Sequence, residues 1–301
     1  MKRVGLVVFS ILLGSSLPVY ADVIPLGHTM EIDLPIGHII LTGEVSACGQ
    51  QLHTADQLNE YVSIQDLLHE TNSNPSIEVN VSRKGKQYTL TCTKKEIEKI
   101  VQVSVDRVTA TGTMSFVDSE TGTYYALGHP IIEKASGWIP DGQNGKIRYA
   151  AVERVVRSEA KRPGYKLTTP VLPIREAKVS TNGTLGIQGT ERELSKWPYE
   201  REELPHQQPA TGKALVRTVI EGTEPQDYVI HIDRITEQDI FLTVTDERLL
   251  KKAGGIIQGM SGSPILQDGN VVGVLTHMSV ENTAKGAALS VDYILNGSKP
   301  H

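Results

Sequence analysis

From Val103 onward the chain is written in short apolar runs, each closed by glycine, proline, aspartate or asparagine. VSVDRVTATGTMSFVDSETGTYYALGHPII is followed by GKIRYAAVERVVRS, KLTTPVLPI, GTLGIQGT, GKALVRTVIEG, DYVIHIDRI and DIFLTVTD. Runs of this length with turn residues between them specify strands, and many of them in series specify a barrel or a sandwich. Aromatic residues make up only 5% of the chain, so the core is expected to be built of Val, Ile and Leu. A net charge of −5 over 301 residues gives no electrostatic footprint for nucleic acid.

The part before Val103 reads differently. Ile39 to Gly43 is an apolar run ending at a turn glycine, and residues 22–46 read as short strands. Thr54 to Glu70 has Leu58, Val62, Ile64, Leu67 and Leu68 at roughly helical spacing, with Thr54 or Asp56 as the expected cap. SIEVNVSRKGKQYTLTC alternates at period two on both sides of Lys84-Gly85, as a hairpin does. KEIEKI, residues 95–100, reads as a charged spacer. This strand, helix and hairpin order resembles the later part of a PDZ domain, without a clear carboxylate-binding loop. The expected organisation is therefore residues 1–21 as a leader, 22–100 as a small α+β PDZ-like module, and 101–301 as a mainly β domain.

The leader is MKRVGLVVFSILLGSSLPVYA. A basic start, a short apolar run and small residues near Ala21 are the marks of a signal peptide, and an uncleaved N-terminal anchor is the alternative. Export permits a disulfide, but Cys48 and Cys92 are equally compatible with two buried thiols. Glu191 to Thr211, rich in charge and proline, reads as an exposed loop suited to a flap or an autolysis site.

The stretch that carries chemistry is GGIIQGMSGSPILQDGNVVGVLTHM, Gly254 to Met278. A serine hydroxyl is a weak nucleophile and needs both a base and a place for the oxyanion. Glycines flanking Ser261 allow a tight turn in which the N–H groups of Gly259 and Ser261 converge. Asp268-Gly269 is a hairpin turn, and Thr276, His277 and Met278 on the returning strand are placed to line a substrate cleft. Ser263 is the second candidate nucleophile, but Pro264 follows it and removes an N–H from the loop. His129, in the Gly-Pro turn of YYALGHPII, is the best placed base among nine histidines. Asp246 is the candidate orienting acid, with Asp233 as competitor. Read from the residues alone, Asp246 is first of all a helix cap for ERLLKKAG.

The loop is similar to the glycine-serine-glycine-proline loop of chymotrypsin-like proteases, with Met260 in place of the acid those zymogens use for activation. YYALGHPI, TVTDERLLKKAGGIIQGMSGSPILQDGNVVGVLTHM and DVIPLGHTMEIDLPIGHIILTG together resemble the SpoIVB peptidases, serine peptidases of the S55 type. The resemblance implies a chymotrypsin-like double β-barrel and a triad of His129, Asp246 and Ser261 that needs no metal or organic cofactor. It also implies export into the space between the forespore membranes of an endospore-forming bacterium. The implied partners are the chain itself, through autoprocessing, and a membrane-associated regulatory protein of an intramembrane protease complex, whose cleavage activates a late sigma factor. An inactive exported adaptor, or a paralogue with another protein substrate, is the alternative.

Overall fold

A computed structural model describes residues 22–297 apart from Arg175. The expected leader, residues 1–21, lies outside the described residues. The chain is mainly β, as its punctuation predicts, and comprises a thirteen-stranded sheet, a closed six-stranded barrel and a separate small hairpin.

β1 (Asp22–Pro25) leads into β2 (Thr29–Leu41), one strand of 13 residues rather than the several short ones expected. Its register against the strand it pairs with shifts between Pro35 and Ile40. Gly37 has φ 86° there. That bend lets a single strand serve two bodies: Met30, Ile32 and Leu34 enter the core of the large sheet, while Ile39 and Leu41 enter the core of an α+β module.

In that module, β3 (Val45–Ala47) and β4 (Gln50–Leu52) form the small hairpin, and β5 (Gln57–Leu58) pairs with β2. Helix α1 spans Ile64–Ser73 and is capped by Ser63, whose hydroxyl accepts from Asp66 N at 3.1 Å. The expected helix start at Thr54 or Asp56 is therefore corrected. Asp56 is buried and binds Arg83, and Leu58 belongs to a strand. β6 (Ser76–Arg83) and β7 (Lys86–Thr93) make the predicted hairpin, with Lys84 and Gly85 both at positive φ. The expected charged spacer is helix α2 (Lys94–Gln102). Thr93 and Glu96 form a capping box at its start, and Ile97 and Ile100, three residues apart on one face, are buried. Cys48 and Cys92 are joined by a disulfide, which closes the alternative left open by the sequence.

β8 (Ser104–Asp118) runs back along β2 and then pairs with β9 (Thr123–Leu127). β10 (Lys146–Val156) lies on the other side of β2 and pairs with β11 (Tyr165–Pro170). β12 (Ala177–Lys178), β13 (Thr181–Gly183) and β14 (Gly186–Thr190) complete the sheet with β15 (Leu204–Pro205), which pairs with β1. The charged stretch 191–211 is largely exposed, as expected, but it is anchored to the body of the molecule. Leu194 and Trp197 are buried, and the Trp197 ring meets Tyr149 edge-on at 5.3 Å. Two apolar anchors among the charges hold the segment in place.

The barrel is closed by β16 (Gly212–Thr218), β17 (Gln226–Ile235), β18 (Asp239–Val244), β19 (Pro264–Gln267), β20 (Asn270–Met278) and β21 (Lys285–Ser290). Helix α3 (Glu247–Ala253) precedes the serine loop, and α4 (Val291–Gly297) follows β21. Val23, Phe116 and Tyr125 of the sheet share an apolar cluster with Leu266, Val271 and Val274 of the barrel, so the two halves are welded by a common core. Among the described residues no helix is long and apolar enough to cross a membrane.

Candidate active site

The seam between sheet and barrel opens into a cleft of about 920 Å3 that carries both Ser261 and His129. Each is delivered by a different kind of local structure.

The serine side is set by main-chain geometry. Helix α3 ends at Gly254 in the left-handed conformation, with its N–H on Leu250 O. Ile256, Ile257 and Met260 then drop into the barrel core. Met260 is wholly buried among the apolar side chains of the barrel core. Gly262 N donates to Leu275 O at 2.7 Å, and Leu275 N donates to Ser263 O at 2.9 Å, which ties the loop to β20. Gly259 and Gly262 have φ of 94° and 98°. At Gly262 no other residue fits, because a Cβ would stand 1.9 Å from Thr113 O. The hydroxyl of Ser261 donates to Thr276 O at 2.8 Å. Among the described residues, the N–H groups of Gly259 and Ser261 donate to no protein acceptor. Ser263, the second candidate nucleophile, is fully buried with its hydroxyl on Met260 O at 2.7 Å, so it does not reach the cleft.

The histidine side is set by a strained turn and a distant side chain. Leu127 has φ 71°, and Gly128 N bonds Ala126 O at 2.9 Å, a reversal within three residues. Gly128 lies so close to the barrel that a Cβ would be 2.7 Å from Thr276 Cγ2. Beyond His129, buried Asn182 accepts from Ile131 N at 2.8 Å and donates to Ile131 O at 2.9 Å and Pro140 O at 2.8 Å. One side chain thus pins two points of the segment.

His129 Nδ1 lies 3.0 Å from Pro130 O. A carbonyl only accepts, so Nδ1 carries the proton and Nε2 keeps its lone pair. Burial, with a smaller repulsion from His277, pushes the His129 pKa below that of a free histidine, against the Pro130 bond that raises it. The ring is therefore neutral and basic at Nε2 near pH 7. The His277 ring lies 5.3 Å from it, tilted by 38°, and bonds Thr276 Oγ1 at 2.9 Å. His277, Thr276 and Met278 all line the cleft, as does Gly259.

Asp246 does not join them. Its carboxylate accepts from Val229 N at 3.1 Å, Arg248 N at 2.9 Å and Arg248 Nη2 at 2.8 Å, and it caps α3. None of its hydrogen bonds goes to His129. The Arg248 bonds, with backbone N–H groups from Val229 and Arg248, hold its pKa down to about 2. The implied direct Asp246–His129 contact is thus replaced in this geometry by the Pro130 carbonyl, and the cap reading drawn from the residues alone describes Asp246. Asp233, the competing acid, binds His231 and Thr243 on the barrel's outer side.

The sequence reading missed Lys166. Its amine is completely buried and bonds the hydroxyls of Thr29, Thr113 and Thr218 at 3.0, 3.3 and 3.2 Å. Burial pushes its pKa down to about 7. Thr113 Oγ1 in turn donates to Gly259 O at 2.7 Å, and Thr113 N donates to Ser261 O at 2.9 Å. A lone lysine in β11 gives no periodic signal, and its three partners come from strands far apart in sequence.

A serine and a basic imidazole on one cleft, beside unspent loop N–H groups, define the equipment of a serine hydrolase. The model of the SpoIVB peptidase S55 family matches residues 98–295. The chain belongs to that family of serine peptidases. No curated protein sequence matches it.

Proposed function

We propose that the chain is an exported serine endopeptidase in which Ser261 attacks a peptide carbonyl and His129 Nε2 takes its proton. The observation that supports this most is the His129 Nδ1 bond to Pro130 O, which leaves Nε2 as the free base. The Ser261 hydroxyl turns from Thr276 O toward Nε2. An Oγ–C bond forms, the carbonyl oxygen becomes negative against the N–H groups of Gly259 and Ser261, and His129 then protonates the leaving amine. Water reverses the same steps to release the acyl group.

Asp246 enters this reading through α3. By fixing the helix it fixes the start of the segment that ends in Ser261. Membership of the family supports a role in sporulation signalling, with autoprocessing and cleavage of a membrane-associated regulatory protein as the acts that lead to sigma-factor activation. The Cys48–Cys92 disulfide supports a non-reducing compartment such as the space between the forespore membranes. The module around it supports a PDZ-like attachment to the peptidase body. No step calls for a metal or organic cofactor.

The test uses the purified protein with fluorescein-labelled casein and a fluorophosphonate label. Ser261→Ala is expected to lower cleavage by about 10³-fold or more and to abolish labelling. Cleavage by the alanine variant at the wild-type rate rules out Ser261 as the nucleophile.

A further inference from the structure

The two N–H groups assigned to the oxyanion, those of Gly259 and Ser261, belong to peptide units whose carbonyls are held from behind. A trans peptide points its C=O and its N–H in opposite directions, so gripping the oxygen aims the hydrogen. For Ser261 the grip is local: Met260 O accepts from Ser263 N at 3.0 Å and from Ser263 Oγ at 2.7 Å. For Gly259 it comes from across the seam. Gln258 O accepts from Lys166 N at 3.1 Å, and Gln258 N donates to Gly164 O at 2.8 Å, so Gln258 pairs in parallel with Tyr165 at the start of β11. The Gly259 N–H therefore points away from β11, and Gly259 lines the cleft.

Lys166 reaches the same glycine a second time, through its side chain. Thr113 Oγ1 gives its one proton to Gly259 O at 2.7 Å, so toward Lys166 Nζ, 3.3 Å away, it can only accept. The N–H of the same threonine holds Ser261 O at 2.9 Å. The amine's other bonds go to the hydroxyls of Thr29 and Thr218, at 3.0 and 3.2 Å. An ammonium has three N–H groups, and three hydroxyl oxygens receive them. Among the described residues no carboxylate forms an ion pair with it. The stem of the side chain lies against Gly259, where an added Cβ would stand 3.1 Å from Lys166 Cδ. A buried amine without a counter-charge costs stability, so filling space gives no reason for it; an apolar side chain of the same length would fill the space without that cost.

Resting on the serine-peptidase reading, we propose that Lys166 is the positioning residue of the oxyanion site, its amine acting through Thr113 to fix the loop from Gly259 to Ser261. The relay runs from the ammonium to the Thr113 hydroxyl and from that hydroxyl to Gly259 O. With the Lys166 N–H on Gln258 O, the peptide units on both sides of Gly259 are held by one residue of β11. The sheet half therefore supplies more than the histidine: it also aims a donor that the barrel half carries.

The test is kcat and KM on fluorescein-labelled casein, with Tm measured alongside. Lys166→Met keeps the length of the side chain and removes the amine. It is expected to lower kcat about 10- to 100-fold, less than the outright loss of an oxyanion donor. KM is expected to stay within about twofold, because such a donor acts on the transition state rather than on the bound substrate. Tm near pH 7 is expected at or above the wild-type value, since the cost of burying the amine goes with it. Thr113→Val cuts the relay at its other member and is expected to lower kcat by a similar factor. Thr113→Ser, which restores the hydroxyl, is expected to bring kcat back to within about threefold of wild type. Two residues acting in series are not additive, so the double variant is expected within about twofold of the lower single one. Wild-type kcat in Lys166→Met overturns the proposal, and so does a fall in kcat matched by a fall in Tm, which makes Lys166 a packing residue only. If Lys166→Met does not fold, the Thr113 variants decide, and equal kcat in Thr113→Val and Thr113→Ser overturns the relay. All of these outcomes leave cleavage by the wild-type protein, and so the peptidase reading, in place. A wild-type protein that neither cleaves casein nor takes the fluorophosphonate removes the peptidase reading, and the proposal with it.

Discussion

The two walls of the cleft are built on opposite principles. The Ser261 wall is a short loop held by its own backbone, with glycine at the two positions of large positive φ and neighbouring strands bonding the Gly262 N–H and the Ser261 and Ser263 C=O groups. The His129 wall is a longer segment, strained at Leu127 and held by Asn182, a side chain over fifty residues away. A backbone-built wall tolerates side-chain change but not the loss of a glycine. A side-chain-built wall fails when one distant residue is trimmed.

The largest expected effect breaks the backbone wall. Gly262→Ala puts a methyl group 1.9 Å from Thr113 O and a side chain at φ 98°. Fluorophosphonate labelling of Ser261 is expected to fall by at least 100-fold, with a visible drop in Tm. Labelling at the wild-type rate would mean that the loop does not depend on its contact with β8.

The next effect falls on the other wall. Asn182→Ala removes three hydrogen bonds from buried main-chain groups, a loss of about 3 kcal/mol at roughly 1 kcal/mol each, read by urea unfolding. Cleavage is expected to fall more steeply than Ser261 labelling at saturating reagent, because the base moves while the nucleophile stays.

A third experiment separates the cap from the triad role of Asp246. Asp246→Ala is expected to cost about 1–2 kcal/mol as a lost helix cap. The folded-state pKa is depressed to about 2, so this stabilisation is present above the ordinary aspartate value and is lost as pH falls from about 4 toward 2. Wild type and variant should therefore converge in stability across that window. A variant of unchanged stability that has lost all activity would instead make Asp246 a direct partner of His129.

The smallest effect is a displacement of a pH profile. Burial lowers the His129 pKa, so the acid limb of kcat/KM is expected below pH 6.5, and an acid limb above 6.5 would show that the ring is not buried in the working enzyme.

The same division explains what the sequence made legible. Gly259, Ser261, Gly262 and the Asp268-Gly269 turn are neighbours in the chain, and their spacing alone announces a tight loop and a hairpin. The strands were legible for the same reason, since alternation and turn residues are local. Asn182, Lys166 and Thr113 act across strands that meet only in the folded sheet, so no window of sequence contains the relation. The exposure of the stretch 191–211 was legible from its charges, while its anchoring by Leu194 and Trp197 was not, because their partners lie elsewhere in the chain. α2 was overlooked although Thr93 and Glu96 carry a capping box, a signal that was present in the residues.

The threonine-lined position of Lys166 makes the seam of the molecule a proton-linked joint. Thr29 and Thr113 belong to the sheet and Thr218 to the barrel, and the amine ties all three. While the halves are together its pKa is about 7. Unfolded and hydrated, it returns toward the free lysine value of about 10.4. Between those values unfolding takes up one proton, so this burial costs least stability at alkaline pH and progressively more as pH falls toward 7. The geometry that cradles the serine loop thus carries a dependence on hydrogen-ion activity that no residue of the loop itself supplies.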